Sequence, residues 1–289
     1  MKVSKLLDHL ILIIGVIFLF LPIWAIIASS THDSMNIARN GMQFWFGDQG
    51  LQAYRDLFAG SSSMFLDDSS SSDTPVASGL LMLKNSMIMG LGFALGKVIL
   101  SMTAAYAIVY FRFPLATVLF WVIFSSLLLP LEVRIVPSYD VVSRLHLINT
   151  YTGLILPLIA SATATFYFRQ YYLSVPEALF EAAQLDNAGP IRFFIDILLP
   201  LSKTMIAAIF IIMFVYGWNQ YLWPVLMSND IEHKTLLLGI KDMANVIQQG
   251  EIPNYSRIFA LSIISIIPPL LVVILLQKWF IKGLIQSEK

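Results

Sequence analysis

The sequence predicts an all-α, polytopic membrane protein, and three observations carry that prediction. Of 289 residues, 57% are hydrophobic and only 12% are charged, whereas a water-soluble domain is roughly a quarter charged because its surface must stay wet. Mean hydropathy is +0.76. Stretches without charge, one of them broken only by Lys97, recur at lengths that cross a bilayer. They are continuous apolar runs, not ten-residue alternations, which selects helices over a closed barrel, the other structure that satisfies every backbone group in lipid.

Six such runs predict six transmembrane helices: Leu10 to Ser30, about Asn85 to Phe111, Phe113 to Leu131, Leu145 to Phe168, Thr204 to Asn229, and Ile258 to Gln277. At 1.5 Å per residue each covers about 30 Å of hydrocarbon. The first follows Lys2 and Lys5 as a secretory leader would. Its apolar run is longer than a leader core, and equally apolar segments follow, so it reads as an uncleaved span. Residues 1–30 then form the amino terminus and first span, 31–78 an outer loop, and 79–289 the membrane core.

The short tails and turns are basic (Lys2, Lys5, Arg112, Arg169 to Lys203, Lys278, Lys282, Lys289), which places both termini in the cytoplasm. The outer loop holds the Ser-rich, acidic run "GSSSMFLDDSSSSDTP", which cannot bury a core and reads as a flexible surface segment. A shorter outer loop, about Asp230 to Tyr255, carries Gly250 and Pro253. Equal numbers of basic and acidic residues, 18 each, leave no field for nucleic acid, and zero cysteines exclude disulfides and thiolate sites.

Between the fourth and fifth spans, residues 174–200 read "SVPEALFEAAQLDNAGPIRFFIDILLP". Ser174 and Glu177 have the spacing of a capping box, with Pro176 in the first turn. Ala178 to Leu185 favours helix. Asn187 and Gly189 accept positive φ, and Pro190 stops the helix. A short helix, a sharp turn and a second helical segment through Phe193, Phe194 and Ile197 to Pro200 follow. Ala178, Ala182, Ala183 and Leu185 permit close approach by another protein, while Glu181 and Asp186 offer anionic handles. An amphipathic helix at the lipid headgroups is the competing reading, but it calls for a basic polar face and this one is mainly acidic.

"EAAQLDNAGPIRFFIDILLP" resembles the cytoplasmic motif of binding-protein-dependent ABC importer permeases, a six-span fold of type I. Glu181, Ala182 and Ala183 match its opening, and Ile197, Leu199 and Pro200 match its close. Position 187 departs, with Asn where the family usually has Gly; Asn is next best in a left-handed turn, so the turn is expected to survive. "FRFPL", "LPLEVRIVPSYDVV", "ASATATFYFRQYY", "YGWNQYLWPVL" and "GLIQSEK" resemble the carbohydrate-uptake branch, and within it the second permeases of sn-glycerol-3-phosphate importers. The resemblance implies a set of partners: a homologous second permease, a homodimeric cytoplasmic ATPase, a periplasmic or extracellular substrate-binding protein, and membrane lipid. ATP and Mg would be bound by the ATPase, with no cofactor in this chain. Glu181, Ala182, Ala183, Asp186, Asn187, Gly189, Ile197, Leu199 and Pro200 would couple the ATPase to the spans. Importers of uncharged sugars or oligosaccharides remain the alternative.

Five residues are candidates for the translocation path. Lys97 lies within the second run, where a charge costs roughly 2.5–3.5 kcal/mol on insertion scales, so it should face the bundle interior or a wet path. It either contacts a substrate phosphate, snorkels, or pairs with a neighbouring subunit. Glu132 and Arg134 line an outer mouth or form an interfacial ion pair. Asn219 and Gln220 line the path or bond between helices. Related sugar permeases often carry a carboxylate at the position of Gln220, and a neutral amide there would not repel an anion.

Gly92-x-x-x-Gly96-Lys97 lacks the spacing of a phosphate-binding loop and reads as close helix packing. No other stretch supplies such a loop, so the chain is not expected to bind ATP or act as an enzyme. His9, His32, His146 and His233 have no metal-ligand spacing, and no nucleophile stands with a base. A self-contained secondary carrier would need coupling ionisable groups in its spans, where only Lys97 is deep.

Overall fold

Apolar runs interrupted by proline, or by polar residues that cap helices, fold into helices of very unequal length. The computed structural model describes residues 2–59, 77–111, 113–245, 247 and 252–286. The helix α1 (Lys2–Ser29) is followed by two short helices, α2 (Ser34–Asn40) and α3 (Gln52–Ala59), and then by the long α4 (Gly79–Tyr110). Next come α5 (Ala116–Ser125), α6 (Leu131–Arg144), α7 (Tyr151–Ile155), α8 (Ala162–Ser174) and α9 (Glu177–Leu185). A single turn α10 (Pro190–Arg192) leads through a π-helical turn, Phe193–Leu198, into α11 (Leu199–Leu201). The chain then forms α12 (Lys203–Trp218), α13 (Leu222–Met227), α14 (Leu236–Asn245) and α15 (Tyr255–Gln286). No strand runs through the described residues. The Ser-rich run, Arg112 and Gly250 lie outside them.

Among the described residues, three helices are long and apolar enough to cross a membrane: Leu7–Ser29, Gly79–Tyr110 and Tyr255–Trp279. Three further candidates are bent pairs: Ala116–Leu128 with Glu132–Arg144 at 106°, Tyr151–Leu158 with Ala162–Ser174 at 49°, and Pro190–Leu201 with Lys203–Trp218 at 76°. Two of the six expected runs are interrupted within their length, Leu145 to Phe168 near Ser161 and Thr204 to Asn229 at Asn219. Each bend has a local cause. Pro130 stands at the N-cap of α6. Ser161 leaves the helical region and caps α8, its hydroxyl accepting from the Ala164 N–H at 3.3 Å. The third bend falls at Ser202, which ends α11 and begins α12 and whose hydroxyl donates back to the Leu198 carbonyl at 2.6 Å. Separately, the run from Thr204 to Asn229 parts at Asn219, where α12 ends. The two segments expected as outer loops also contain helix, with Ile37, Ala53 and Leu57 buried from α2 and α3 and Leu236, Leu238 and Met243 from α14.

The chain divides into two compact units. The first comprises residues Met1–Asn85 and Lys234–Ile267. Most side chains of α1 face outward, Ile11, Phe18 and Leu19 among them, as a helix surrounded by lipid permits. Beyond its end, Ser34 Oγ donates to Asn254 Oδ1 at 3.0 Å, the Arg257 guanidinium pairs with Asp56 at 3.3 Å, and Asn85 Nδ2 donates to the Lys234 carbonyl at 2.8 Å. Long-range bonds thus hold segments far apart in sequence.

The second unit comprises Ser86–His233 and Pro268–Lys289. Its core gathers Met89, Phe93, Val142, Leu154, Leu158, Trp223 and Met227. Trp223 Nε1 donates to the Leu154 carbonyl at 3.0 Å, which satisfies the indole in an apolar setting. Helix α4 presents its small residues to neighbours. A Cβ at Gly92 would stand 2.6 Å from Ile155 Cδ1, and one at Gly96 2.7 Å from Ile159 Cγ2. The glycine pair is a packing seam within a helix, as expected, and not a phosphate loop.

That seam sets a test. Gly96→Leu is expected to destabilise the protein by about 1–3 kcal/mol through overpacking, whereas at Gly15, where an added Cβ meets nothing within 4 Å, the same change should be nearly neutral. Thermal unfolding in detergent compares the two, and equal midpoints would contradict the close approach.

Candidate functional site

Two features of the second unit bring the sequence candidates together: an elbow over residues 174–200 and a cavity higher along α4. The elbow begins where α8 ends. Ser174 is the last residue of α8, and its hydroxyl donates back to the Tyr171 carbonyl at 2.7 Å. Pro176 takes the N-cap of α9 with no side-chain bond. The expected capping box is therefore absent, because the serine stays within the preceding helix and uses its hydroxyl there.

The turn after α9 keeps the expected left-handed residue. Asn187 has φ +51°. Its N–H donates to the Gln184 carbonyl at 3.0 Å and the Ala188 N–H donates to the Ala183 carbonyl at 2.9 Å, the paired closure of a Schellman motif. Gly189 differs from expectation: it is extended, at φ −64° and ψ 165°, and it caps α10. An added Cβ there meets nothing within 4 Å, so this chain's own fold does not require glycine at 189. The π-helical turn directly precedes Pro200, whose ring and missing N–H disturb the α-helical ladder one turn earlier.

Sequence reasoning missed what roots the elbow. Phe180 stands 5.1 Å from Phe193 and 5.3 Å from Tyr110, and Tyr110 lies 5.2 Å from Phe193, ring centre to ring centre. Tyr106 meets Phe194 at 4.9 Å and donates its hydroxyl to the Pro190 carbonyl at 2.8 Å. Phe193 is 1% exposed. These rings join both halves of the elbow to the last turn of α4. The signal was available as Tyr106 and Tyr110, one turn apart on one helical face, and Phe180 in the middle of α9.

Above this root the surface is open. Glu181, Ala182 and Asp186 are exposed, as are Leu185 at 84% and Ile191 at 75%. Ala183 is buried and serves the packing beneath, so a visitor would meet Ala178, Ala182 and Leu185. Ile197 and Leu199 are half-buried and Pro200 is exposed. Arg192 pairs with Asp196 at 3.4 Å on the exposed side of the second arm.

The cavity, of about 620 Å³, collects Lys97 and Arg134 from α4 and α6, with Ser161, Thr163 and Tyr216 on its wall. Lys97 is 5% exposed, and its Nζ lies 4.6 Å from the Tyr216 ring centre and 5.5 Å from that of Phe93. This is the interior placement expected for a charge within a span, with the aromatic faces attracting the ammonium. The other three candidates fall outside the wall. Glu132 is exposed and makes no ion pair with Arg134. Asn219 is exposed at the end of α12. Gln220 Nε2 donates to the Tyr216 carbonyl at 3.3 Å, a bond to the preceding turn and not to another helix.

Residues 97–286, which contain both features, match the family model described as binding-protein-dependent transport system inner membrane component. The chain belongs to this family. It is a multi-pass permease of ABC importers, and its role is transport, not catalysis. The permease is 46% identical over 287 residues to the sn-glycerol-3-phosphate transport system permease protein UgpE of Brucella melitensis, covering 99% of this chain and 98% of the relative. It is 45% identical to the protein of that name from Rhizobium meliloti, with the same coverage. The counterpart from Pectobacterium atrosepticum is 44% identical over 283 residues, covering 98% and 96%. A solved bacterial ABC transporter involved in importing the acidic polysaccharide alginate shares the fold, with a TM-score of 0.76 at 19% identity, covering 96% of the permease and 97% of that chain.

The left-handed turn gives a direct prediction. Asn187→Gly should leave the elbow intact, while Asn187→Val should cost about 1–2 kcal/mol at this conformation. Limited proteolysis within 174–200 reads the difference, and equal resistance of the two variants would show that the turn does not hold the positive φ.

Proposed function

We propose that this permease is one of two membrane subunits of an ATP-driven importer for sn-glycerol-3-phosphate. Near-full-length likeness to permeases bearing that name supports the substrate. The observation that carries the coupling role is the elbow itself. An apolar, acidic tip built from Leu185, Glu181 and Asp186 is exposed, while its base is fixed by rings to the end of α4.

In this reading three straight helices and three bent pairs make six spans, and both termini and the elbow face the cytoplasm. A substrate-binding protein delivers solute from outside. This permease and a homologous second one enclose the path. A homodimeric ATPase grips the elbow and closes on ATP and Mg. Because Phe180 and Phe193 rest on Tyr110, displacement of the tip is passed to α4 with little slack. The coupling set is Glu181, Ala182, Ala183, Asp186, Asn187, Gly189, Ile197, Leu199 and Pro200. Glu181 and Asp186 make the polar grip, Ala182 allows close approach, and the remainder set the shape of the joint. Lys97 and Arg134 border the path, with Glu132, Asn219 and Gln220 nearer its rim.

Glu181→Lys is the test of coupling. The variant is expected to lose most of the ATPase on purification from detergent and to lower uptake at least about tenfold, a scale set by one buried charge contact. Full retention with undiminished transport would remove Glu181 from the coupling role. For the substrate, vesicles holding the complete importer should accumulate labelled glycerol phosphate and not maltose-like sugars; the reverse preference would favour the sugar reading. Gln220→Glu, which adds a negative charge beside Tyr216, should slow phosphate-ester uptake while the complex still assembles, and unchanged kinetics would discard that role.

A further inference from the structure

The cavity bordered by Lys97 and Arg134 holds an imbalance of charge. Lys97 is buried within α4, and its described contacts are the rings of Tyr216 and Phe93. Among the described residues, neither Lys97 nor Arg134 has a carboxylate within 4.0 Å. Rings soften the burial of an ammonium but do not neutralise it, and an uncompensated cation at membrane depth calls for an anion or water. Both cations border one partly open space, Lys97 from its buried side and Arg134 from its exposed side.

A third element adds to the same wall. The first turn of α8, a helix of 13 residues, lines the cavity through Ser161, Ala162 and Thr163. Ser161 caps the Ala164 N–H, and the N–H groups of the first two helical residues, Ala162 and Thr163, have no acceptor within their own helix. Ser101, one turn beyond Lys97 on the same face of α4, donates to the Ser161 carbonyl at 3.1 Å and ties that turn in place. A helix N-terminus favours negative charge and offers N–H donors.

We infer that this cavity is a phosphate subsite within the permease, with Lys97, Arg134 and the first turn of α8 receiving the phosphate of a phosphomonoester. Two cations and a helix N-terminus match the charge of about −1.5 to −2 that such a group carries at neutral pH. The space of about 620 Å³ is within the range of small-molecule sites, about 300–1,000 Å³, and leaves room for the ester's alcohol. The inference rests on the import reading for its solute but not for its chemistry, because a phosphate from a lipid headgroup presents the same charge.

The complete importer in nanodiscs of zwitterionic lipid tests it, with inorganic phosphate as the probe. Saturable phosphate binding is expected, displaced by glycerol phosphate. It should weaken about tenfold or more in Lys97→Met, from loss of a charge-assisted contact, and recover largely in Lys97→Arg. The KM for uptake should rise in parallel. Arg134→Gln, at an exposed position, carries the same comparison if Lys97→Met does not assemble, with a several-fold loss expected. Phosphate affinity and KM unchanged in these variants would overturn the subsite while leaving import intact. Wild-type vesicles that fail to accumulate glycerol phosphate, yet bind phosphate through Lys97, would sink the import reading and leave the subsite standing. In nanodiscs containing phosphatidic acid, lipid retained by the wild type, lost in Lys97→Met and not displaced by phosphate would show a lipid site and overturn the solute one.

Discussion

The contact on which the rest of the molecule depends is the group of rings at the end of α4. Each aromatic pair contributes about 0.5–1.5 kcal/mol beyond burial, and Tyr110 alone meets both Phe180 and Phe193. Those two rings belong to the two arms of the elbow, so a single residue of α4 holds both. Without that root, a nine-residue α9 would be too short to stay helical by itself in water. With it, the helix is fixed in direction while Leu185 and Glu181 remain exposed. A rigid base under an open tip is the arrangement that transmits force, and the proposed coupling follows from it.

Helix α4 also connects the two functional features. Tyr106 and Tyr110 hold the elbow, Gly92 and Gly96 lie against Ile155 and Ile159, and Lys97 borders the cavity. A shift of its last turn would be carried back along the one helix to the buried ammonium, beside which the glycine seam begins. Close-packed glycine contacts leave little room for the helix to bend without moving its neighbours. In the proposed importer, the solute site and the motor would share one stiff helix, and coupling needs no longer chain of contacts.

Much of this was legible in the sequence, and the remainder was hidden for definable reasons. Composition and run length gave the all-helical membrane class. The 174–200 pattern located the elbow, and Asn187 was placed correctly in a left-handed turn because few other residues accept one. Lys97 was read correctly as interior, since a charge among apolar neighbours has few alternatives. Two of the six runs are interrupted, at Ser161 and Asn219, which hydropathy does not show because it averages across a break that a single cap creates. The capping box at Ser174 failed because spacing cannot say to which helix a serine belongs. The ring group escaped notice because Tyr106, Phe180 and Phe193 are scattered in sequence and meet only in three dimensions. Glu132, Asn219 and Gln220 fell outside the cavity wall for the converse reason: polarity near a helix end does not fix which way a side chain faces.

The account stands on the elbow and α4 moving as one body. The chain has no cysteine, so spin labels can be placed cleanly at Leu185→Cys on the elbow tip and Leu95→Cys on α4, both exposed positions. Pulsed dipolar spectroscopy on the assembled importer, with and without bound ATP, measures the separation of those labels within the permease. The account predicts one distance distribution that stays the same in both states. A change in its centre of several ångströms on ATP binding would show the elbow swinging independently of α4, and would contradict the rigid joint from which the coupling was derived.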